Sequence, residues 1–221
     1  MNTIKLTSLL GAGVLACIGA NAQVLDFTGL QDLEFIGNYY DGGFGSDGSG
    51  PGPNYGITFG PYAQAIISST VGGTGDFQNA PSDTVAFFQA GPGAIMDKAA
   101  GFTTGFSFFY SAIKDPGSVT VWSGLDGTGT LLASLALPTT PSLPGFPTTF
   151  NDWIPVGVTF AGTAESVNFS GTADWIGFDD ITLGGLPSPI PDRTGAGIYL
   201  LAGLGLAGAA RVSRKQGITT V

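Results

Sequence analysis

Histidine is absent from all 221 residues, and the single cysteine, Cys17, sits in the first apolar stretch. The first absence removes every Ser-His-Asp or Cys-His nucleophilic device and any His-ligated zinc site. The second leaves the body of the chain without disulfides, so packing, alone or with a metal ion, must hold it. Arginine is missing between positions 23 and 190, where fifteen Asp and Glu face only Lys98 and Lys114, a net charge of −13. Such a surface repels nucleic acid and anionic membrane, which excludes both as partners of the body. It suits divalent cations and an extracellular medium. No phosphate-binding GxxxxGK[ST] stretch occurs, and Gly72-Gly-Thr-Gly75 lacks the strand–helix context of a nucleotide loop.

What is present is clearest at the two ends. Residues 1–22 read as a signal peptide: Lys5 is the charged start, Leu6 to Ile18 the apolar core, and Ala20-Asn21-Ala22 a small-residue cleavage site before Gln23. A competing reading takes Val14-Leu15-Ala16-Cys17 as a lipoprotein box with Cys17 lipidated. The apolar run continues past Cys17, which favours an ordinary signal peptide. At the other end, residues 194–210 carry no charge and, as a helix, span roughly 25 Å, enough to cross a bilayer core. Arg211, Arg214 and Lys215 follow, which keeps the C-terminus cytoplasmic and puts the body on the far side of the membrane.

The segment 187–216 also resembles a known family. Ile190, Pro191, Asp192 and Gly195, then the Gly/Ala/Leu run, then the basic cluster, look like a PEP-CTERM-type sorting signal. The nearest form is the variant whose motif reads Val-Pro-Asp-Ser-Gly, with Arg193-Thr194 here in place of its Ser. The resemblance implies a bacterial protein exported by the general secretory route. Signal peptidase and an exosortase-type transpeptidase would process it, and the helix would anchor it in the inner membrane only until then. It further implies a surface or extracellular-matrix location and a link to exopolysaccharide or biofilm.

Between the signals, residues 23–186 form one domain long enough for a sizeable core. About ten short apolar–polar runs, broken by Gly, Pro, Asn and Asp, predict an all-β, antiparallel β-sandwich of jelly-roll type. Leu25–Phe27 and Leu33–Phe35 open it. Phe106, Phe108 and Tyr110 share one strand face, Leu131, Ala133, Leu135 and Leu137 another, and Asp126-Gly127 marks a hairpin tip.

Three features of the domain are candidates for chemistry. In Phe178-Asp179-Asp180-Ile181 both apolar residues cannot face the core of a regular strand, so a bulge is expected at the Asp pair. Jelly-roll modules often hold Ca2+ between first and last strands, so Asp179 or Asp180 with Asp26 or Glu34 is the candidate metal set. The competing reading is a pair of carboxylates in water. The loop from Asp41 to Tyr55 has no EF-hand spacing and reads as flexible and solvated. Tyr39, Tyr40 and Tyr55 near it are candidate ligand-binding aromatics for stacking on sugar, whereas Trp122, Trp153 and Trp175 read as core.

No catalytic residue is indicated. The expected function is a noncatalytic exported surface or matrix protein. The alternative is a carbohydrate-binding module with structural calcium and an extracellular polysaccharide partner. A glycoside hydrolase ranks third, since it needs only two facing carboxyls.

Overall fold

In β6 (Gly105–Ala112) every second residue is a ring, and Phe106, Phe108 and Tyr110 are all buried, as their spacing predicts. The computed structural model of the chain describes residues 23–184, apart from residue 147. The predicted signal peptide, the sorting motif and the membrane span lie outside the described residues. Among the described residues no helix is long and apolar enough to cross a membrane.

Two antiparallel sheets make up the domain. The six-stranded sheet runs β3 (Gln64–Ile67), β4 (Thr84–Phe87), β11 (Ile176–Leu183), β6 and β9 (Ile154–Thr159). The first strand, β1 (Gln23–Leu25), pairs with the second half of β11. The five-stranded sheet runs β2 (Thr58–Phe59), β5 (Ala94–Phe102), β10 (Ala164–Ser170), β7 (Gly117–Trp122) and β8 (Leu131–Leu137). The expected all-β antiparallel sandwich is therefore what the described residues form.

The core is built where the two sheets' rings meet. Phe169 of β10 meets Phe108 edge-on at 5.4 Å and Phe178 of β11 at 5.0 Å. Removing such a ring costs about 3–5 kcal/mol. At one end Phe27, Tyr40 and Phe59 continue the cluster, with Phe27 edge-on to Tyr40 at 5.8 Å.

Differences from the sequence reading have local causes. Leu33 sits at φ 62°, so 33–35 is no regular strand; a lone Phe35–Gln64 bridge and the hydrogen bond from Gln64 Nε2 to the Leu33 carbonyl (3.0 Å) join it to β3. Residues 94–102 form the long strand β5, which alternation did not reveal because Ala, Lys and Met dilute the pattern. In β8, Leu135 and Leu137 are buried but Leu131 is 48 % exposed. The β7–β8 register shifts beside it, turning Leu131 out of the shared face. The Asp126-Gly127 tip does form, both residues at positive φ.

Candidate functional site

The expected bulge lies in β11. Pairing with β6 slips between Asp179 and Thr182, and Asp180 takes φ 47°. Phe178 and Ile181 both reach the core, 1 % exposed each. Asp179 then points to the sheet's outer face, where the segment before β4 covers it completely. Ser82 N–H donates to its Oδ2 at 2.9 Å, and Asp180 N–H to its Oδ1 at 2.8 Å. Burial pushes the Asp179 carboxyl up to about 7, and the neighbouring Asp180 charge adds to this against the hydrogen bonds. Asp180 is raised too, by burial first and then by the charge of Asp26.

Around Ser82 the proton count does not balance. Its Oγ lies 3.0 Å from the Asp26 carbonyl, 2.6 Å from the Thr84 carbonyl, and 3.0 and 2.9 Å from the two Asp179 oxygens. With Asp179 ionised, one hydroxyl proton serves four acceptors. These are hard oxygen donors of the kind Ca2+ takes, supplied by the first and last strands together with the approach to β4. Thr84 carried no sequence signal, because a main-chain ligand leaves none, and Ser82 is one serine among many with no motif around it.

Glu34 does not belong to this group. It is fully buried and accepts hydrogen bonds from the N–H of Gln31, Asp47 and Ser49 at 2.7, 2.8 and 3.1 Å. Burial opposes its ionisation, but the Ser49 side chain and the three N–H groups outweigh that and hold its carboxyl below the ordinary value. The candidate metal set is thus corrected: Glu34 ties the 45–49 loop instead. Among the described residues no three His, Cys, Asp or Glu gather to hold a metal, so main-chain oxygens have to complete any cation site. The Asp41–Tyr55 loop is correspondingly ordered by its own hydrogen bonds, and Gly45 is required there, since a Cβ would lie 2.4 Å from Glu34 Oε1.

The aromatic assignments exchange places. Tyr39 and Tyr40 are buried, and the Tyr40 hydroxyl accepts the Phe27 N–H at 2.6 Å. Tyr55 is half-buried and stacks on Tyr40, with the rings 6.1 Å apart. These three hold the core end together and offer no platform. The tryptophans, read as core, are half-buried on the surface.

Trp153 marks a concavity on the outer face of the six-stranded sheet. Ala65, Ala86 and Phe178 face the core, so Ile66, Val85, Phe87 and Gly177 face outward and form a floor. Phe77, Phe150 and Trp153 wall it, Phe77 meeting Trp153 edge-on at 6.0 Å. A bridge between Phe77 and Phe150 and the hydrogen bond from Trp153 Nε1 to the Gln78 carbonyl (3.1 Å) fix that wall. A Cβ on Gly177 would lie 3.1 Å from Trp153 Cη2, so the indole lies directly on the bare backbone of β11. The groove encloses about 270 Å3 and carries Thr74, Asp76, Gln89 and Asp174 as exposed polar groups. A mostly apolar cleft with a few polar groups is the usual form of a small-ligand site, here sized for about one sugar ring. Its walls come from loops 73 residues apart in the chain, which no periodicity connects.

No protein-family model and no curated protein matches this chain. Solved structures that match include a carbohydrate-binding module of Cellvibrio mixtus lichenase 5A in complex with cellotriose (13 % identity, TM-score 0.36). That match covers 57 % of this chain and 89 % of the module. The K3 adhesin domain of Lys-gingipain from Porphyromonas gingivalis matches at 14 % identity and TM-score 0.35, covering 56 % and 91 %. The C-terminal carbohydrate-binding module of a marine laminarinase from Zobellia galactanivorans matches at 17 % and 0.31, covering 55 % and 98 %.

Proposed function

We propose that the chain is an exported, noncatalytic glycan-binding protein that is sorted at the cell surface and takes a sugar ring in the Trp153 groove. The single observation that carries the binding assignment is the groove itself: a ring-walled apolar floor with hydrogen-bonding groups on its rim. The apolar face of a pyranose lies against such an aromatic wall while its hydroxyls meet the rim. Export, exosortase sorting and passage through the inner membrane rest on residues 1–22 and 187–216, read from sequence. The matrix or biofilm setting follows from the same tail.

Asp76 and Asp174 are the two carboxyls a hydrolase reading would use. Both are exposed. Glycoside hydrolysis needs one carboxyl kept protonated, normally in an apolar pocket. The pair therefore suits recognition better than cleavage. Binding of a glycan panel to the purified full-length chain, with reducing ends assayed in parallel, tests both halves. We expect retention without hydrolysis; released reducing ends would overturn the noncatalytic assignment, and failure to retain any glycan would overturn the binding assignment.

A second element, structural calcium, is favoured by the four acceptors around one Ser82 proton. Asp179, the Asp26 and Thr84 carbonyls and Ser82 Oγ would hold the ion and tie β1 to β11. Added Ca2+ is expected to raise the melting temperature, and an unchanged melting temperature would remove the ion from the account.

A further inference from the structure

The groove has a charge pattern that restricts what it can hold. Its lining includes two carboxylates, Asp76 and Asp174, and no Lys or Arg. Asp76 Oδ2 accepts one hydrogen bond, from Thr148 Oγ1 at 3.3 Å, at the outer limit of such bonds. No hydrogen bond or ion pair to the Asp174 carboxylate occurs among the described residues. The two described cations are engaged elsewhere. Lys98 Nζ donates to the Tyr55 carbonyl, and Lys114 Nζ lies 4.4 Å from the centre of the Trp175 ring.

Resting on the glycan reading, we propose that the groove selects amino sugars, glycans whose ring carries a protonated primary amine. Asp76 and Asp174 would receive the ammonium group while Trp153 and Phe77 cover the ring. The chemistry favours this over the two neighbouring classes. A uronic-acid polymer brings a carboxylate to a site with two of its own and no cation, inside a field of net charge −13. A neutral sugar can use the aromatic wall but leaves Asp174 without a charged partner. An ammonium group gives a lining carboxylate a charge-assisted hydrogen bond and keeps the stacking.

The test compares oligomers that share one backbone. Full-length protein is titrated with a glucosamine hexamer, its N-acetylated counterpart and an oligogalacturonate, at low and at physiological salt. We expect the free-amine hexamer to bind about fivefold to tenfold more tightly than the acetylated one, a preference that weakens with salt, and the uronate not to bind. In the D76N/D174N double variant the two hexamers are expected to converge on the weaker affinity. Circular dichroism and melting temperature check that the double variant is folded.

Equal binding of the two hexamers by the natural protein would overturn amino-sugar selection and leave glycan binding standing. An amine preference that persists undiminished in the folded double variant would overturn the assignment to Asp76 and Asp174. Binding of no oligomer, with W153A indistinguishable from the natural protein, would overturn the glycan reading itself.

Discussion

The two sheets of this sandwich share a core but present different outer faces. On the five-stranded sheet most outward positions are polar: Asp97 and Ser166 beside Trp122 in one row, Asn168, Thr120 and Ser134 beside Ile95 in the next. Ser118 and Ser170 follow, their hydroxyls 2.8 Å apart. Of these only Ser134 is exposed; the others are half-buried, except that the turn 124–127 covers Ser166 completely, its N–H and carbonyl groups bonding the Ser166 hydroxyl. On the six-stranded sheet the outward positions are Ile66, Val85, Phe87, Gly177 and the buried Asp179, and loops close over them. One face places mostly polar side chains outward; the other places apolar ones there, which floor the groove. The loops that do the covering are those that sequence periodicity describes least.

The contrast can be broken first at the groove. Trp153→Ala should weaken glycan binding by about thirtyfold, the cost of a central aromatic contact, whereas Trp122→Ala on the polar face should leave affinity unchanged. Titration calorimetry with the glucosamine hexamer reads both, and equal losses would erase the distinction. Gly177→Val, which drives a side chain into the indole, should reproduce much of the Trp153 loss with Trp153 still present.

Next in size is the covered carboxylate. At pH 7.5, Ca2+ at a hundred times its dissociation constant should raise the melting temperature by about 5–10 °C, and chelator should reverse it. Asp179→Asn should lose that response, while Asp97→Asn on the other face should keep it. Scanning calorimetry checks both. A shift that survives Asp179→Asn would place the ion elsewhere.

Glu34 gives a smaller, pH-dependent effect. Its folded carboxyl is held below the ordinary value of 4.5, so it stabilises the fold above that pH. The contribution is lost as pH falls through the depressed folded value. Glu34→Gln should cost about 1–3 kcal/mol at pH 7 and progressively less as acid protonates the natural residue, as denaturant titrations at several pH values would show. The smallest effect is expected on the polar face, where Thr120→Val should change stability by less than about 0.5 kcal/mol.

Much of the frame was legible in the residues. Among the described residues, alternation found β6 and β8 with their buried faces, because a half-buried strand must write period two into its sequence. The three-residue spacing of Phe178 and Ile181 even located the bulge. The sites were harder. Ca2+-type oxygens at Asp26 and Thr84 belong to the main chain and are silent in sequence. Tyr40 looked like an exposed aromatic because its neighbours are Asp, Asn and Gly, yet its hydroxyl satisfies the Phe27 N–H inside the core. Trp153 looked like core because it is large and apolar, but Gly177 opposite gives it a shelf on the outer surface. Burial of an aromatic is decided by what lies across from it, and that partner is usually distant in the chain.

The strand β11 has one more consequence, a mechanical one. Its first residues, Ile176 and Gly177, line the groove, Asp179 sits midway, and its last, Leu183, precedes in sequence the segment read as the sorting signal. Leu183 is gripped on both sides, by Gln23 of β1 and Phe106 of β6, in antiparallel register. Under the proposed function, with the processed C-terminal end held at the cell surface, tension on a glycan in the groove would run lengthwise along this single strand. Lengthwise load strains the hydrogen bonds to β1 and β6 together, in shear, and does not peel them open one at a time. The strand that floors the proposed sugar site would then also bear the pull.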